Sequence, residues 1–123
     1  MPKIFIMKTN TLQLIKELSA ITLSNLEAAK KFKVLDSNMQ NYKPSLGAWS
    51  ILECLEHLNR YSNFYLPELE RHLNNNKQDA VSSFKSGLFG NYLVKMVLPQ
   101  KNSKKMKTFA AMNPAGSALL PEV

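Results

Sequence analysis

Imidazole, thiol and carboxylate side chains gather in one short stretch of this chain, Trp49-Ser50-Ile51-Leu52-Glu53-Cys54-Leu55-Glu56-His57-Leu58. An imidazole can ligate a divalent metal or carry a proton near neutral pH. Three residues before His57, Cys54 could add a soft ligand or a thiolate. Four residues before it, Glu53 could orient the ring from behind, and Tyr61 lies one turn after it on the same side of a helix. Each has a plainer role. Cys54 reads first as a small buried hydrophobe, Glu53 as part of a helix cap, and His57 as a partly buried, hydrogen-bonded side chain. One histidine does not hold a metal tightly, because catalytic sites usually use three protein ligands and an open position. The second histidine, His72, lies about four turns further along, roughly 22 Å by helical rise, too far to share an ion with His57. It reads as structural, or as a cation near a helix C-terminus. The sequence has no nucleophile-base triad, Gly-rich phosphate loop or zinc-knuckle spacing.

These residues sit on a helix whose start is written in the sequence. Ser50 followed by Glu53 forms a capping box, with Trp49 before it as a hydrophobic staple against the stem of Glu53 or against Cys54. The pattern predicts a helix over 50–74, with Pro67 inside it marking a kink or a break. Its side chains sort into two stripes. Ile51, Leu55, Leu58, Ser62, Leu66, Leu69 and Leu73 form the core seam, and Cys54, His57, Tyr61, Phe64 and Glu68 form a second line that needs its own cover. An earlier helix is predicted over 11–33, capped by Asn10 or Thr11, with Leu14, Ile15, Leu18, Ile21, Leu26 and Ala29 facing a core. Residues 36–47 read as a loop. A third helix falls within 87–98, with Leu88, Tyr92, Leu93, Met96 and Val97 as its buried side and Pro99 closing it. No strand-like alternation is sustained, and residues 100–123 hold at most a turn of helix.

Composition bounds the rest. A chain of 123 residues is long enough for one domain with its own core. Sixteen Lys and Arg against nine Asp and Glu give a net charge of +7, which favours solubility without establishing a nucleic-acid partner. Lys101, Lys104, Lys105 and Lys107 lack interleaved aromatics and read as a solvated loop, so nucleic acid is not expected. A single cysteine excludes an internal disulfide and suits a reducing, cytoplasmic setting. The run Ile4-Phe5-Ile6-Met7 is too short for a signal peptide or a membrane span. The first six residues read as a surface extension or an upstream start.

Trp49-Ser50-Ile51, Glu53 and His57-Leu58, preceded by Lys43-Pro44 and followed by Lys104-Lys105-Met106-Lys107-Thr108-Phe109 and Met112-Asn113-Pro114, together resemble the DinB-like superfamily. The resemblance implies an all-α, up-down four-helix bundle, of which three helices are present over a single domain, 1–123, that is incomplete at its C-terminal end. It also implies a metal-dependent hydrolase or thiol-dependent transferase using a divalent metal, Ni or Zn. His57 would match the ligand on the family's second helix, with Glu53, Cys54 and Tyr61 as candidates around it. The family's His-x-x-x-His pair on the fourth helix has no counterpart here, so metal is expected to be absent or weakly held by this chain. The alternative is a noncatalytic helical module that self-associates through the second helix. Either way the uncovered second stripe predicts a homodimer, as family members also tend to form. The parent reading frame beyond Val123 discriminates the two readings.

Overall fold

The computed structural model describes residues 8–98, 101–102 and 105–117. The expectations placed on Ile4-Phe5-Ile6-Met7, Pro99, Lys104 and residues 119–123 lie outside them. The fold is mostly helical. In chain order it comprises β1 (Lys8–Asn10), α1 (Thr11–Lys33), α2 (Ser37–Asn41), α3 (Ile51–Asn75), β2 (Ser83–Lys85), α4 (Gly87–Val97) and a 3-10 turn, Ala110–Met112. These divide into two compact units, one of Met1–Ser24 with Gln78–Met106 and one of Asn25–Lys77 with Lys107–Val123. Among the described residues no helix is long and apolar enough to cross a membrane.

In the first unit, β1 and β2 form an antiparallel ribbon, with Lys8 opposite Lys85, Thr9 opposite Phe84 and Asn10 opposite Ser83. The ribbon leads straight into α1. The Thr11 amide donates to the Ser82 carbonyl at 3.0 Å, and Asn10 Oδ1 accepts from the Gln13 amide at 3.0 Å, capping the helix. The two strands correct the sequence reading: three residues each are too few to show alternation. The expected apolar faces are also corrected. Ile15, Leu18 and Ile21 of α1 are exposed, as are Leu88, Tyr92, Leu93, Met96 and Val97 of α4, where Asn91 is buried instead. Periodicity identifies the face a helix could bury, not whether anything lies over it.

In the second unit, α1 ends with Lys30, Lys31 and Lys33 in its last turn, complementing the partial negative charge there. Gln40 then closes it: buried, it donates from Nε2 to the Phe32 carbonyl at 2.9 Å. Gln40 is held by α2, a short helix inside the segment expected to be loop. Asp36 supplies the missed start signal, its carboxylate accepting from the Met39 amide at 2.9 Å. Among the described residues the helix count is therefore four rather than three.

α3 starts where the capping box places it. Ser50 Oγ accepts from the Glu53 amide at 3.2 Å, and Glu53 Oε2 accepts from the Ser50 amide at 2.9 Å. The helix runs unbroken through Pro67. Its first turn is the packed part, with Ser50, Leu52 and Glu53 buried, and Leu52 and Pro114 are the buried apolar residues among those described. Leu58, Leu66, Leu69 and Leu73 of the expected core seam are exposed.

Candidate functional site

Glu53, His57 and Arg60 stand at positions i, i+4 and i+7 of α3, which places them on one face of the helix. That face meets the loop 109–117. The loop is shaped by its own hydrogen bonds. The Met112 amide donates to the Phe109 carbonyl at 2.9 Å and the Asn113 amide to the Ala110 carbonyl at 3.2 Å, making the 3-10 turn. Asn113 Oδ1 then accepts from the Ala115 amide at 3.0 Å, the side-chain turn that asparagine favours. The Ser117 amide closes back on the Pro114 carbonyl at 2.9 Å, with the Pro114 ring buried beneath. Gly116 adopts φ +77°, a left-handed conformation in which L side chains are strained.

The helix face grips this loop at three points. Glu53 Oε1 accepts from the Gly116 amide at 3.0 Å and from Lys43 Nζ at 2.8 Å, while Oε2 holds the Ser50 amide. Burial alone would push this carboxyl's pKa up. The hydrogen bonds from Lys43, Ser50 and Gly116 and the charge of Lys43 outweigh burial and hold it below the usual value. Arg60 is the second grip. Its Nε donates to Glu56 at 2.9 Å, Nη1 to the Asn113 carbonyl at 2.6 Å and Nη2 to Ser117 Oγ at 3.1 Å. The guanidinium fork thus spans the turn from both ends.

Between them, His57 Nδ1 lies 2.8 Å from the Met112 carbonyl oxygen. A carbonyl only accepts, so Nδ1 carries the proton, and in the neutral ring Nε2 keeps its lone pair. Two rings flank the imidazole. Trp49 lies 4.9 Å away between centroids, tilted at 45°, and Tyr61 lies 4.9 Å away in an edge-on arrangement at 77°. Trp49 therefore reaches one turn further along the helix than a staple on the stem of Glu53 would.

Behind Trp49 lies an open cavity of about 460 Å³ whose wall includes Phe32, Met39, Tyr42, Trp49, Cys54 and Leu58. Cys54 is on the cavity side rather than the His57 side. Burial of its thiol, and then the negative charge of Glu53, push its pKa up, although the residue as a whole is exposed. A thiol held protonated is a weaker ligand and nucleophile than an ordinary cysteine.

The structure thus brings Glu53, His57 and Tyr61 onto one region and turns Cys54 toward the cavity. Glu53 is bonded to Ser50, Lys43 and Gly116, not to the imidazole. His72 is near the exposed end of α3, its Nε2 3.4 Å from Arg71 Nη2. Among the described residues no group of three His, Cys, Asp or Glu side chains converges as a metal-ligand set. Sequence reasoning missed Arg60, which lies off both apolar stripes, and the carbonyl of Met112. The i, i+4, i+7 run of Glu53, His57 and Arg60 was the available signal. No protein-family model matches the chain, and no curated protein or solved structure matches it significantly.

Proposed function

We propose that this chain carries the second-helix portion of a DinB-like divalent-metal site, with His57 as one ligand through Nε2, in a metal-dependent hydrolase or thiol-dependent transferase. The observation that supports it most is the 2.8 Å contact of His57 Nδ1 with the Met112 carbonyl. A backbone carbonyl behind one ring nitrogen fixes the tautomer and aims the other nitrogen outward, the arrangement that metal-ligating histidines commonly have. The donor therefore fits a metal ligand, and the remaining donors would come from outside the described residues. A bound divalent ion, Ni or Zn, would supply Lewis-acid activation or a more acidic bound water. The chain's own part is to present Nε2 without a tautomer change and to flank it with the Trp49 and Tyr61 rings, which limit access of water. The up-down bundle and a reducing, cytoplasmic setting belong to the same reading.

Thermal unfolding of the protein with and without Ni²⁺ or Zn²⁺ tests this. Ligand at a hundredfold excess over its dissociation constant stabilises by about 2.7 kcal/mol. That gain should vanish in His57→Ala. An equal gain in His57→Ala would refute the assignment.

The exposed apolar residues of α3 favour a second, compatible reading, a helical module that self-associates. Phe64 on the second stripe, and Leu66, Leu69 and Leu73 on the expected core seam, are all more than half exposed, and pairing two copies about a two-fold axis through the second stripe would bury that same face on both.

A further inference from the structure

We infer that Glu53 and Arg60 are positioning residues for His57, acting through the 109–117 loop to fix which imidazole nitrogen carries the proton. The inference rests on the reading of His57 as a ligand, but it concerns the chain's own residues and needs no metal to be tested.

The Met112 carbonyl can hold His57 Nδ1–H only if the loop stays against α3, and nothing within the loop ensures that. Its internal hydrogen bonds, from the Phe109 carbonyl to the Ser117 amide, shape the turn without anchoring it. The anchoring comes from α3, one turn to either side of His57. On the N-terminal side, Glu53 Oε1 takes the Gly116 amide. On the C-terminal side, Arg60 takes the Asn113 carbonyl and Ser117 Oγ. Asn113 directly follows Met112, so Arg60 holds the peptide next to the one that meets the imidazole. Glu53 itself is fixed by the Ser50 amide and by Lys43, so its carboxylate is a rigid post. The same residue that starts the helix thereby ties down the segment that aims its histidine. Its chemistry is specific: three donors converge on one carboxylate, and a glutamine there has one oxygen to accept and an amide that can only donate. Glu53→Gln must therefore lose either the helix-start side or the loop side.

The experiment is ¹⁵N NMR of the imidazole nitrogens at a pH where the ring is neutral, on the wild-type chain and on Glu53→Gln, Arg60→Met and Ser50→Ala. In the wild type the Nδ1–H form should dominate, its ratio to the Nε2–H form raised roughly tenfold over that of free histidine, as one well-made hydrogen bond provides. Glu53→Gln and Arg60→Met should each shift His57 toward the Nε2–H form that free histidine prefers in water. Ser50→Ala weakens the helix start without touching the loop and should leave the tautomer unchanged, so it separates positioning from general destabilisation. Arg60 is partly exposed, so its variant keeps the test alive if Glu53→Gln unfolds. Wild-type dominance of Nδ1–H that persists in both Glu53→Gln and Arg60→Met overturns the positioning role and leaves the ligand reading standing. A wild-type ring already in the Nε2–H form overturns both. Added Zn²⁺ that leaves the wild-type His57 resonances unmoved overturns the ligand reading alone.

Discussion

Replacing Glu53 by alanine should strongly destabilise the second unit. The carboxylate accepts from the Ser50 amide at 2.9 Å, from Lys43 Nζ at 2.8 Å and from the Gly116 amide at 3.0 Å. These contributions are unequal. Ser50 is 2 % exposed, so its amide would be left buried without a partner, at a cost of about 1–3 kcal/mol. The Lys43 side chain is 47 % exposed, which reduces its ion pair to at most about 1 kcal/mol. Gly116 is exposed, so water can replace its bond and the loss there is about 0.5 kcal/mol. The expected destabilisation is about 3 kcal/mol, against about 1 kcal/mol for Ser50→Ala, which removes only the other half of the cap. Urea unfolding followed by circular dichroism and by the fluorescence of Trp49, the one tryptophan, reads both the helices and the site. Equal destabilisation by Glu53→Ala and Ser50→Ala would refute the reasoning, because Glu53 would then be a helix cap and nothing more.

Acidification should reproduce part of that loss. Because hydrogen bonds and Lys43 hold the folded Glu53 carboxyl below its usual 4.5, its stabilisation is full above that value and drains away as pH falls through the folded value. An acid-unfolding curve measured on Glu53→Gln should be correspondingly flatter than the wild type's. Gly116→Ala should cost about 1–2 kcal/mol, measured by the same urea titration, because φ +77° is strained for an L side chain although the added Cβ meets no atom within 4 Å. Cys54 should react more slowly with a thiol reagent at neutral pH than free cysteine does, and Glu53→Gln should speed it by removing the neighbouring negative charge. Sedimentation at micromolar concentration should find a dimer that Tyr61→Glu or Phe64→Glu shifts toward monomer, and a wild-type chain that stays monomeric would remove the self-association reading.

The long helices were legible because their ends carry chemistry. Asn10 before α1 and the Ser50–Glu53 pair before α3 each satisfy amides that a helix start leaves open, and the structure uses both as caps. The short elements were not. α2 spans five residues and each strand three, lengths over which neither helical nor alternating periodicity can be distinguished from chance. Burial was misread for a different reason. Leu18, Leu66 and Tyr92 lie on faces that periodicity marks as apolar, yet all are exposed, since a pattern records what a helix could bury and not what covers it. At the candidate site, His57 was visible from its residue type and its place in the capped helix. Its orientation was not visible, because that is set by the carbonyl of a residue 55 positions away. Arg60 was missed because its role depends on the same distant loop, where the signal is a turn of asparagine, proline and glycine with no recurring spacing to connect it to α3.

Whether His57 presents Nε2 as a ready ligand is read from the ¹⁵N resonance of each imidazole nitrogen during a Zn²⁺ titration of the wild-type chain. His72 is an internal control, since it is exposed and has the cationic Arg71 guanidinium beside its Nε2. His57 Nε2 should move first while its Nδ1–H is retained, and His72 should respond only at higher Zn²⁺. A titration in which His72 responds first, or in which both histidines respond together, would contradict the ligand reading.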